Sequence, residues 1–179
     1  MELDRDTFSE VLMIPLTTTV SSGFTFSENW SGFELKQNDQ VVATLRRPSM
    51  WSPNFLVETI NENWVIRRSG FWSNKADILD AASQRLIASF KSAWGGKGTL
   101  TFADGQTFFV VTRGCWHPMW TVTTDTGQAI LQLHTRDRSV ELHDIAALSE
   151  SRLSLLVLFT LYRVRQAEEA AVTASAVAS

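Results

Sequence analysis

Two arginine pairs, Arg46-Arg47 and Arg67-Arg68, are the residues of this chain whose type and position best suit recognition chemistry. The planar guanidinium fork matches the oxygens of a phosphate or carboxylate. Each pair closes a run of strand-forming residues, which places both at the rim of a β-structure. Neighbouring strand residues point to opposite faces, so at most one member of each pair faces a given site. The expected ligand-binding set is therefore Arg46, Arg47, Arg67 and Arg68, holding an anionic headgroup. The plainer alternative is solvated surface charge.

Other constellations carry less. Cys115-Trp116-His117 puts a thiol and an imidazole two residues apart, on one face if the segment is a strand. A nucleophile also needs an orienting group and an oxyanion site, and nothing in the sequence marks them. A buried structural cysteine is the expectation. His117, His134 and His143 have no ligand-motif spacing, so no metal is expected. Gly95-Gly96-Lys97-Gly98 lacks phosphate-loop spacing and leads into a strand instead of opening a helix, which makes it a turn. The aromatic residues Trp51, Phe55, Trp64, Phe71 and Trp72 would line a pocket, pack into a core or cover one end of it.

These side chains need a scaffold, and bulk properties bound what it is. At 179 residues, 44% hydrophobic and 20% charged, the chain suits one globular domain with a full core. Seven Trp and eleven Phe favour strands and a large interior. A formal charge of −3 supplies no global positive field for nucleic acid, which is not an expected partner. One cysteine excludes an internal disulfide framework. The acidic start, Met-Glu-Leu-Asp-Arg-Asp, is unlike a secretory signal, so the expected location is cytoplasmic, peripheral at a membrane.

Strand–turn–strand units recur along the body. Phe33–Arg46, Asp77–Lys91 and Trp120–His134 share the pattern, and aligning Leu45, Phe90 and Leu133 gives intervals of 45 and 43 residues, an internal repeat. Thr99–Phe102 and Thr107–Val111 flank Asp104-Gly105, a strong hairpin signal because glycine accepts positive φ. Trp64–Arg67 adds a strand. Many short strands at even spacing indicate a barrel or sandwich.

After the strands comes Leu153–Tyr162, an apolar helical run with no polar stripe. Its 10 residues reach about 15 Å, half a bilayer's hydrocarbon core. Such a helix must be surrounded, and the preceding sheet is the only candidate. Ser149 is the expected N-cap, and Glu150 suits the positive end of the helix dipole. The helix is expected to continue through Arg163–Ala170, and Thr173–Ser179 to fray.

The repeated hairpins and the apolar terminal helix resemble the tubby C-terminal-like superfamily, which includes phospholipid scramblases and LURP-one-related proteins. That resemblance spans roughly residues 30–165 and implies a closed antiparallel barrel of about 12 strands enclosing a hydrophobic C-terminal helix. It implies phosphoinositide-type headgroups as ligands, although neither arginine pair aligns residue by residue with the tubby site. The calcium linked to scramblases finds no D-x-D-x-D-G loop here.

The resulting expectation is a non-enzymatic binding module with no cofactor, recognising an anionic lipid or membrane surface, or a protein partner near the membrane. Residues 1–29 form an N-terminal segment, 30–165 the barrel with its helix, and 166–179 a helix extension and tail. Three rivals remain: a hollow lipocalin-like carrier with its helix packed outside, a small enzyme using Cys115 and His117, and a membrane anchor formed by the C-terminal helix.

Overall fold

Alternation of apolar and polar residues, broken every few residues by turn formers, builds twelve antiparallel strands. In the computed structural model, which describes residues 23–29, 31–49, 51–69, 74–93, 95–114 and 116–177, they are β1 (Phe24–Asn29), β2 (Gly32–Gln37), β3 (Gln40–Arg46), β4 (Phe55–Thr59), β5 (Asn63–Ser69) and β6 (Lys75–Asp80). The series continues with β7 (Leu86–Ser92), β8 (Lys97–Phe102), β9 (Thr107–Arg113), β10 (Met119–Thr124), β11 (Ala129–His134) and β12 (Ser139–Leu142). One helix, α1 (Glu150–Val177), follows. Each strand pairs with its sequence neighbours, and β1 pairs with β12, closing the barrel.

The barrel starts earlier than residue 30. β1 falls inside the segment set apart as N-terminal, and it pairs with both β2 and β12. Without it the sheet would keep two open edges. The tail also differs from expectation, since α1 runs unbroken to Val177.

The repeat has a structural counterpart. Register shifts occur between Leu35 and Lys36, Ile78 and Leu79, and Val122 and Thr123, in the hairpins β2–β3, β6–β7 and β10–β11. The bulges skip Val42, Ile87 and Ile130, which are spaced by the same 45 and 43 residues. A bulge bends its strand and increases twist. Three of them, one on every fourth strand, curve the sheet evenly towards closure.

Side chains of alternate strand residues fill the interior around α1. Every residue from Leu153 to Tyr162 is buried, Ser154 and Thr160 included. Those two hydroxyls donate to the carbonyls of Glu150 (2.9 Å) and Leu156 (2.7 Å), so neither is left unsatisfied in the apolar interior. Ser149 caps the helix, its Oγ accepting the Arg152 amide at 3.3 Å. The lipocalin-like rival calls for a hollow barrel with its helix packed outside, whereas here Leu153–Tyr162 occupies the interior. That position removes Leu153–Tyr162 from service as an anchor, and among the described residues no helix is long and apolar enough to cross a membrane.

Candidate functional site: an arginine-lined barrel mouth

In a closed antiparallel meander the odd-to-even connections all lie at one rim and the even-to-odd connections at the other. Arg46 and Arg47 end β3, and Arg67 and Arg68 lie near the end of β5, so both pairs reach the same rim. Alternation then divides each pair.

Arg46 and Arg67 point outward. Arg46 donates to both carboxylate oxygens of Glu58 on β4, at 2.8 and 3.0 Å. That bond holds the Glu58 carboxyl below its usual range. Arg67 donates to Gln84 Oε1 at 3.1 Å. Two of the four expected ligand residues therefore belong to the outer wall.

Arg47 and Arg68 share the inward parity of Leu45 and Ile66, and they meet α1 where it leaves the barrel. Helical spacing brings Phe159, Tyr162, Arg163 and Gln166 onto the same side. The guanidinium of Arg47 lies 4.7 Å above the ring of Phe55, and that of Arg163 lies 4.7 Å above Phe90. Both stacks are cation–π contacts that hold a charge over an aromatic face. Phe90 owes its position to Gly98 on β8, where a Cβ would come within 2.0 Å of the Phe90 ring. Arg68, on β5 opposite Ala76, is near enough to Tyr162 and Arg163 for its charge to act on both. The sequence singled out Arg47 and Arg68 but missed Arg163. Its position just after the apolar run was the signal, because the next helical turn must stand in the mouth.

Electrostatics at this mouth are one-sided. Burial pushes the Tyr162 phenol up to about 12, despite the opposing pull of Arg68 and Arg163. Burial, together with the charge of Arg68, lowers the pKa of Arg163, while Tyr162 acts in the opposite direction. Tyr162 is tied into the site as acceptor from Gln166 Nε2 at 2.6 Å, and Gln166 Oε1 in turn accepts from Arg163 at 2.6 Å. Among the described residues the carboxylate that meets the inward arginines is Glu169, which takes two bonds from Arg47.

Five buried side-chain groups at this mouth have no hydrogen-bond partner among the described residues. They are the Nε atoms of Arg47, Arg68 and Arg163, Trp120 Nε1 and Thr112 Oγ1. Thr112 and Trp120 are cross-strand partners on the opposite wall. Four of the five are obligate N–H donors, and the fifth is a hydroxyl. Buried donors without acceptors are costly.

The remaining candidates separate. Cys115, Phe71 and Trp72 lie outside the described residues. His117 is exposed in the β9–β10 connection, and His143 follows β12 at the opposite rim. Among the described residues no three His, Cys, Asp or Glu side chains converge on a metal-sized point. Gly95 and Gly96 take φ of 77° and 74° in the turn into β8. Phe55 and Trp64 are core, while Trp51 is solvent-exposed. A cleft of about 290 Å³ opens at the helix N-terminal rim, beside Ile60, Glu62, Trp64 and Ser151, away from the arginines. It carries no comparable donor set.

Comparison of the chain with protein-family models, with curated proteins and with solved structures gives no match.

Proposed function

We propose that the protein is a non-enzymatic binding module whose ligand is an anionic headgroup, a phosphate above all, taken at the mouth formed by Arg47, Arg68 and Arg163. The observation that carries this reading is the set of buried N–H donors left without acceptors at one end of a barrel whose interior is already full. With α1 filling the core, a ligand meets the protein at the mouth. The tubby-like resemblance points to the same ligand class by a different route.

Isothermal titration with inositol hexakisphosphate tests it. Wild type should bind, and Arg68→Gln should lose about tenfold or more in affinity, the scale of one charge-assisted contact. Arg46→Gln should bind as wild type does, because that side chain is held on the outer wall by Glu58. No binding by wild type, or equal losses in the two variants, would sink the assignment.

A further inference from the structure

Net charge hides a separation along the barrel axis. Each of the six connections at the helix N-terminal rim carries or adjoins an acid: Asp39, Glu62, Asp80, Asp104, Asp125 and Asp144. The other rim exposes bases, among them Lys75, Lys97, Arg113, Arg136 and Arg138. The exposed acids Glu28, Asp137 and Glu168 share that rim and are outnumbered. Arg85 and Arg152 also lie at the acidic rim, the latter paired with Asp104, so among the described residues one end is predominantly acidic and the other predominantly basic.

The basic end also holds the most exposed large apolar side chains described. Trp116 is 92% exposed, Trp51 90% and Val172 69%. Trp51 lies in the β3–β4 connection and Trp116 in the β9–β10 connection. Six strands separate them in a ring of twelve, so they stand on opposite sides of the mouth with α1 between. Of the four described tryptophans, the other two, Trp64 and Trp120, are core.

We infer that this rim is a membrane-docking surface: Trp51 and Trp116 enter the headgroup layer of an anionic bilayer while the surrounding bases meet lipid phosphates. Tryptophan prefers that layer because its ring is apolar and its N–H stays wet. Polybasic surfaces are drawn to anionic leaflets, and the acidic far end is repelled, which turns the basic rim towards the membrane. Two anchors on opposite sides of a ring fit a flat, extended partner better than a single protein groove.

The projecting helix accommodates this geometry. Beyond Glu169, which is held at rim level by Arg47, α1 continues as Ala170–Val177 without a charge. Eight residues advance about 12 Å, close to the depth of an interfacial segment. Its polar side chains are satisfied within the helix. Thr173 Oγ1 donates to the Glu169 carbonyl at 2.9 Å, and Ser175 Oγ to that of Val172 at 2.9 Å.

This inference builds on the anion reading of the mouth, and its test separates the two. Purified protein is co-sedimented with phosphatidylcholine–phosphatidylserine vesicles and with phosphatidylcholine vesicles, for wild type, Trp51→Ala/Trp116→Ala and Leu86→Ser. Leu86 is an exposed apolar residue at the acidic rim. Wild type should bind the anionic vesicles in a salt-sensitive way, and the double tryptophan variant about tenfold or more weakly. Leu86→Ser should match wild type, and the double variant should keep its affinity for inositol hexakisphosphate. Undiminished vesicle binding by the double variant would overturn the docking surface while leaving the anion site standing. An equal loss in Leu86→Ser would overturn it too. Wild type that ignores both vesicles would assign the basic rim to an acidic protein partner and end the membrane proposal.

Discussion

Arg47 Nη2 donates to both carboxylate oxygens of Glu169, at 2.8 and 2.9 Å, across 122 residues of chain. The bond ties the β3–β4 connection to the helix where α1 emerges. It also places a carboxylate of the protein's own helix on one of the three guanidinium groups at the mouth. On the proposed reading, Glu169 and an incoming anion would compete for Arg47.

That competition sets the first expectation. Glu169→Gln removes the internal carboxylate and should tighten binding of inositol hexakisphosphate several-fold, read by titration calorimetry. The pair is partly solvated, so the accompanying change in stability should stay within about 1 kcal/mol. Weaker binding in this variant would show that Glu169 positions Arg47 for its ligand and does not block it.

Tyr162 predicts an alkaline limit on stability. Its phenol sits near 12 in the folded chain and near 10 when exposed. The folded state therefore keeps the proton longer, and the stabilisation present below pH 10 is lost as pH rises towards 12, by roughly 2 to 3 kcal/mol. Denaturant melts across that window should show the decline in wild type and lose it in Tyr162→Phe. Parallel declines in both proteins would assign the effect to other groups.

Leu158 lies at the centre of the enclosed helix and is 1% exposed. Leu158→Asp puts an unpaired charge in the barrel core, costing several kcal/mol, and should prevent folding. Leu158→Met keeps the volume and should cost less than about 1.5 kcal/mol. Circular dichroism melts distinguish them, and an aspartate variant that melts like wild type would contradict an enclosed α1.

Gly98 gives a sharper steric test. A methyl group there would meet the Phe90 ring, which is itself held between Phe159 and the Arg163 guanidinium. Gly98→Ala should cost roughly 1 to 3 kcal/mol by overpacking and weaken anion binding by displacing Arg163. Gly105→Ala faces open space but takes a φ of 91°, so its smaller loss should leave binding intact. Equal binding in the two variants would detach Phe90 from the site.

Local signals carried much of the architecture. The hairpins Phe33–Arg46, Asp77–Lys91 and Trp120–His134 were legible because strand alternation and turn residues act over a few positions. Even the bulges left their trace, since the 45- and 43-residue spacing belongs equally to Leu45, Phe90, Leu133 and to the skipped Val42, Ile87 and Ile130. An apolar run without a polar face dictated that Leu153–Tyr162 be surrounded. The strands β1 and β12 alternate over only about four residues, and β4, Phe-Leu-Val-Glu-Thr, hardly alternates at all, so none of the three stood out. Their identity depends on partners far along the chain.

Which arginines meet was a different kind of question. Sequence alternation alone determined that Arg46 and Arg47 part company, as do Arg67 and Arg68. It could not say which member faces in, because that depends on the register Leu45↔Val57 and Phe55↔Ile66 around a closed ring. Closure by β1 and β12 then brings Arg47, Arg68 and Trp120 to one mouth, and the emerging helix adds Arg163. The separation of acids from bases and the opposed positions of Trp51 and Trp116 likewise follow from which rim each connection occupies. Secondary structure was set by neighbours in sequence; the site was set by long-range strand pairing, which no local pattern records.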